Sequence, residues 1–107
     1  MTTSTAEPKI AHRVKTKVEI KEPSQYNVIY INDDVTTQEF VVETLIIVFN
    51  YDHNAAYDVT MKIHEEGSAV VATLPFEMAE QKGVEVTVLA RSQSYPLQIK
   101  LEPESMA

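Results

Sequence analysis

Apolar and polar positions change rhythm several times along the chain, and each change predicts an element. Val28-Ile29-Tyr30-Ile31 is a β-branched and aromatic run of the kind that suits a pleated, half-buried surface. It stops in Asn32-Asp33-Asp34, short polar residues that favour turns. Thr36 followed by Glu39, just before Phe40-Val41-Val42, reads as a capping box that opens a helix, with the Thr36 hydroxyl satisfying its first free N–H groups. Residues 40–49 are apolar almost all round. Ile46-Ile47-Val48 alone would suit a strand, but the upstream cap and the length favour a buried helix. Asp52 reads as the N-cap of a second helix, with Ala55, Ala56, Val59 and Ile63 at helical spacing and Gly67 as its stop. Thr60, Ile63 and His64 share one face of that helix.

Residues 69–74 form a continuous run of small apolar side chains, expected to be a central strand. Pro75 suits the first turn of a third helix, carried by Ala79, Gly83, Val86 and Ala90 three and four apart. Residues 84–88 also alternate as a strand does, which leaves that element open. Residues 97–102 alternate without exception behind Pro96 and give the clearest strand. The order is β-α-α-β-α-β, an α+β fold with helices packed on a small sheet. Residues 1–25 show no sustained periodicity and are expected to be a flexible extension, extended near Val18 and Ile20. Residues 26–107 are the expected core, fraying at Ser105, Met106 and Ala107.

A chain of 107 residues is one domain, able to bury a core without metals or disulfides. Cysteine is absent, which excludes disulfide scaffolds, thiolate zinc sites and cysteine nucleophiles. No apolar run approaches the length of a membrane span and no signal-peptide core follows the start, so a soluble, cytoplasmic protein is expected, with a plastid stroma as the alternative. The net charge of -7 is unevenly spread: residues 1–25 carry five basic against three acidic side chains, the remainder four against thirteen. That acidic body speaks against nucleic acid as a partner and suits a cationic one.

Catalytic and metal chemistry find little support. His12, His53 and His64 lack zinc-site spacing. Asp33 does not open a calcium loop, because the glycine and glutamate such a loop needs are missing. Two glycines in all allow no phosphate-cradling loop. Asp33-Asp34 and Glu65-Glu66 are adjacent residues that point in different directions, the usual pattern of solvated carboxylates. No enzyme activity, cofactor or metal is expected. The Asn32 triplet is either plain turn chemistry or a set of acceptors for a cation, and His64 is either a helix-end residue or part of that site.

The motifs themselves are recognisable. N-D-D-V-T-T-Q-E-F-V at 32–41 resembles the N-D-D-x-T-P-M-E-F-V signature of the ClpS adaptor family. A-Y-D-V-T-M-K-I-H-E-E-G at 56–67 resembles that family's second signature, and S-A-V-V-A at 68–72 and Y-P-L at 95–97 extend the similarity over about 26–104. The resemblance implies three helices on a three-stranded antiparallel sheet, with 84–88 helical. It also implies an adaptor that holds proteins by a bulky hydrophobic N-terminal residue, an N-degron, and delivers them to a Clp-type AAA+ unfoldase. The partner would be the N-terminal domain of a ClpA- or ClpC-type unfoldase, and the free adaptor a monomer.

Carried over by position, the substrate's α-amino group would meet Asn32, Asp33 and His64. Its side chain would be enclosed by Tyr30, Asp34, Thr36, Gln38, Val41, Thr60, Ile63 and Leu97, while Glu77 and Lys82 would contact the unfoldase. Residues 1–25 match the family's N-terminal extension. The chain departs from the family at Thr37 and Gln38, where the signature has proline and methionine, and at Thr60, where a methionine roofs the pocket. These changes bear on which N-terminal residue is preferred. An adaptor with an altered pocket, acting mainly as an inhibitor or modulator of the unfoldase, is the alternative they leave open.

Overall fold

The structure, a computed structural model, describes residues 24–106. Its elements are β1 (Gln25–Ile31), α1 (Gln38–Phe49), α2 (His53–Glu66), β2 (Ser68–Pro75), α3 (Phe76–Ser92), β3 (Gln98–Pro103) and a 3-10 turn (Glu104–Met106). Gln25 therefore belongs to the sheet and not to the extension. Residues 1–23, with the extended stretch expected near Val18 and Ile20, and Ala107 lie outside the described residues.

All strand pairs are antiparallel, in the order β2-β1-β3. The centre of the sheet is thus β1, and β2 is an edge strand, contrary to the expectation from its unbroken apolar run. Such a run suggests burial on both faces, but β2 alternates: Ala69 and Val71 are buried while Val70 between them is exposed. Val28 and Tyr30, fully buried, stand opposite Ala72 and Ala69 on one side and Leu101 and Ile99 on the other. The register slips between Val28 and Ile29, which leaves Val71 as the extra residue of a bulge. Its carbonyl is satisfied from outside the sheet, by the Tyr51 hydroxyl.

In α1 the buried residues are Phe40, Val41, Thr44, Leu45 and Val48, whereas Ile47 is exposed. The expected all-round burial does not occur, because one layer of helices on one sheet leaves each helix a solvent side. Thr44 donates to the Val41 carbonyl at 2.9 Å, so its single proton is used and the buried Tyr30 hydroxyl donates to it at 2.8 Å. Burial pushes the Tyr30 phenol far above its ordinary pKa, against the lowering effect of that hydrogen bond.

The second helix is bounded as its sequence indicates. Asp52 caps it through a 2.8 Å bond from the Ala55 N–H, and Gly67 closes it in the left-handed region at φ 92°. Pro75 ends β2 and immediately precedes α3, one residue earlier than its expected place in the helix. Residues 84–88 are helical: Val86 is buried against the sheet, and Val84 and Val88, its alternating partners, are exposed. A Cβ built on Gly83 would stand 3.5 Å from Ile99 Cγ2, so α3 lies close over β3.

Candidate functional site

The turn between β1 and α1 is built around one carboxylate. Asp33 Oδ1 accepts from the N–H groups of Val35 and Thr36 at 2.8 and 2.7 Å, and Oδ2 accepts from the Thr36 hydroxyl at 2.8 Å. Thr36 is therefore not the helix cap. Its N–H and hydroxyl both bond to Asp33 and hold it in the turn, and Thr37, with an extended backbone, takes the cap position, its Oγ1 accepting from the Phe40 N–H at 3.1 Å. Partial burial would raise the pKa of Asp33. The bonds from Thr36 and Val35, helped by the charge of Arg91, outweigh this and hold the carboxyl below its ordinary value. The negative charge is thus fixed in place at neutral pH.

Asn32 joins this turn to the far end of α2. Immediately beyond the pair Ile31 and Ser68, the Asn32 N–H donates to the Gly67 carbonyl at 2.9 Å. His64 lies in the last turn of α2 with its side chain exposed. The end of α2 that carries His64 thus sits beside the Asn32 turn. Thr60 and Ile63, on the same face, are buried where His64 is not.

A third wall comes from the connection between α3 and β3. Arg91 Nη1 donates to the carbonyls of Tyr95 and Leu97 at 2.8 and 3.0 Å. Tyr95 in turn packs on Phe40 with ring centres 4.9 Å apart and takes a long 3.4 Å bond from the Thr37 hydroxyl. Arg91 escaped the sequence reading. Its signal was an arginine in the last turn of a helix just before a proline-containing connection, the position from which basic side chains reach free carbonyls.

The residues assigned to the site separate into a rim and an interior. Asn32 and Thr36 are half-buried and Asp34, Gln38 and His64 exposed, around the turn. Val41, Thr60, Ile63, Leu97 and Tyr30 have relative exposures between 0 and 6 %, so they face inward. Tyr30 goes furthest: its hydroxyl is committed to Thr44 and its ring packs edge-on to Phe49, which makes it a core residue. Glu77 and Lys82, on α3, are not brought to the turn. Glu77 is in the first turn of α3, two residues after Pro75, which pairs with Gln25 at the opposite end of β1 from Asn32.

Chemically, the turn offers a fixed anion, a side-chain amide and an imidazole beside a buried apolar interior, which together suit a ligand with a cationic head and an apolar body. Among the described residues no group of three or more His, Cys, Asp or Glu is placed to hold a metal ion. A separate hollow of about 770 Å³ opens between α1 and α2, lined by Glu39, Val42, Glu43, Ile46, His53 and Tyr57; of the site residues only Gln38 reaches it. The turn is the better candidate, because there the polar groups and the apolar interior converge.

The chain is similar to known proteins. The family profile described as ATP-dependent Clp protease adaptor protein ClpS matches residues 21–100. The ClpS adapter protein of Desulforapulum autotrophicum is 42% identical over 100 residues, covering 92% of this chain and 96% of that protein. That of Wolinella succinogenes is 37% identical over 89 residues, covering 83% and 87%. Among solved structures, Agrobacterium tumefaciens ClpS2 bound to L-phenylalaninamide is similar with a TM-score of 0.75 and 38% identity, over 78% of this chain and 100% of that one.

Proposed function

Because the chain belongs to the ClpS adaptor family of the Clp protease, we propose that it captures proteins by a free N-terminus carrying a bulky hydrophobic residue and passes them to a Clp-type unfoldase. The observation that carries this reading is the Asn32 to Gly67 hydrogen bond, which sets the N-D-D turn beside the end of α2 that bears His64. An ammonium donates and cannot accept, so its capture needs acceptors and negative charge held in place. The Asn32 amide oxygen, the His64 ring and the fixed Asp33 carboxylate are of that kind, with Val41, Ile63 and Leu97 as the apolar interior beneath. L-Phenylalaninamide, the ligand of the Agrobacterium relative, has the same pairing of a free amino group with an apolar side chain.

Glu77 and Lys82, on α3, are assigned the contact with the N-terminal domain of a ClpA- or ClpC-type unfoldase. Ser24, Tyr26, Pro75, Phe76 and Glu77 line one hollow at the far end of β1, which supports a division of labour between the two ends of the molecule. Residues 1–24 are assigned to delivery, the free adaptor is a monomer, and it works in the cytoplasm. Among the described residues no helix is long and apolar enough to cross a membrane. Fluorescence anisotropy with two peptides that start in Phe, one free and one N-acetylated, tests the reading. The free peptide binds and the acetylated one does not; equal affinities would overturn it.

A further inference from the structure

Among the described residues, Thr60 Oγ1 is the buried side-chain polar atom without a hydrogen-bond partner. Threonines in helices commonly turn the hydroxyl back onto a carbonyl three or four residues earlier. Two here do so: Thr44 bonds to the Val41 carbonyl and Thr87 to that of Gly83, each at 2.9 Å. Thr60 does not, although its residue is only 3% exposed. A hydroxyl taken out of water with no partner is unfavourable, and a ligand that supplies the partner atom removes that cost.

Position says which ligand atom that is. Thr60 lies four residues before His64 on the same face of α2, one turn or about 6 Å along the axis. His64 is exposed and Thr60 buried. In the proposed pose the ammonium rests at Asn32 and His64 and the side chain runs inward past Thr60. A tyrosine carries its phenol oxygen across the length of its ring, a separation of this order, whereas phenylalanine and leucine bring no polar atom.

We infer that the Thr60 hydroxyl pairs with the phenol of an N-terminal tyrosine, so that this chain prefers tyrosine to phenylalanine at the first position. The inference rests on the proposed function and narrows its substrate class. Anisotropy titrations of the full chain with two peptides identical except for Tyr or Phe at position 1 test it. Tyrosine binds about threefold to tenfold more tightly, the range of one neutral hydrogen bond. Thr60→Val, similar in shape but without the hydroxyl, removes the preference, so that the ratio of the two affinities falls to about one; Thr60→Ser keeps it. Thermal melts followed by circular dichroism check that both variants fold, and if Thr60→Val does not, the wild-type ratio and Thr60→Ser decide. Equal affinities in the wild type, or a preference that survives in Thr60→Val, would overturn the inference while leaving N-terminal capture standing. Failure to bind either peptide would remove the proposed function and this inference with it.

Discussion

Asn32 and Gly67 are joined backbone to backbone, the Asn32 N–H donating to the Gly67 carbonyl at 2.9 Å, and this bond sets the spacing of the proposed ammonium site. Gly67 holds φ 92°, with nothing within 4 Å of where a Cβ would stand. Gly67→Ala therefore introduces strain without a clash and lowers stability by about 1–2 kcal/mol. It also weakens peptide binding, although it deletes no ligand contact. Thermal melts and anisotropy on one preparation check both effects, and unchanged binding would detach Gly67 from the site.

His64 is exposed, so replacing it leaves the core intact. His64→Ala keeps the melting temperature and weakens binding of a free N-terminus about tenfold or more, because a charge-assisted hydrogen bond contributes roughly 1.5–3 kcal/mol. Wild-type affinity in that variant would return His64 to the status of a helix-end residue.

Asp33 supplies an acid-side signature. Its folded carboxyl titrates below the ordinary aspartate value, so its contribution to stability is complete above about pH 4, the unfolded value. That contribution is lost as pH falls through the lower folded value. Asp33→Asn flattens this part of the profile, which melts recorded in steps from neutral to strongly acidic pH resolve. It also weakens ligand binding at neutral pH, where the wild-type charge is present.

Gly83 offers a gain. It lies inside α3, and an added Cβ would meet Ile99 Cγ2 at 3.5 Å, an ordinary contact. Replacing glycine by alanine within a helix is worth up to about 1 kcal/mol, so Gly83→Ala raises the melting temperature.

The fold was legible where local chemistry decides. Asp52, Gly67 and the spacing of Ala79, Gly83, Val86 and Ala90 are signals written in one segment, and the structure follows them. Sequence failed where two nearby groups compete or where a distant partner decides. Thr36 and Thr37 are equally good caps in isolation, and only the bonds of Asp33 choose between them. The apolar run of β2 looks central because periodicity cannot report that one side of the strand stays unpaired. For the site, the N-D-D triplet and His64 stood out by motif, but their adjacency depends on a bond between residues 35 positions apart. The position of Arg91 in the last turn of α3 marks it as a carbonyl binder, but only the fold of the connection brings the Tyr95 and Leu97 carbonyls to it.

The run of β1 from Gln25 to Ile31 gives the molecule a polarity. Gln25 pairs with Pro75 and Tyr26 with Pro103, so both ends of the described chain leave the sheet at one pole and the Asn32 turn occupies the other. Seven strand residues separate the poles by roughly 20 Å. A fluorophore or a surface tether attached at Ser24 or Glu104 therefore stands about a full strand length from the Asn32 turn. Protein immobilised there presents the proposed site outward, and signals read at the tether report attachment and not occupancy.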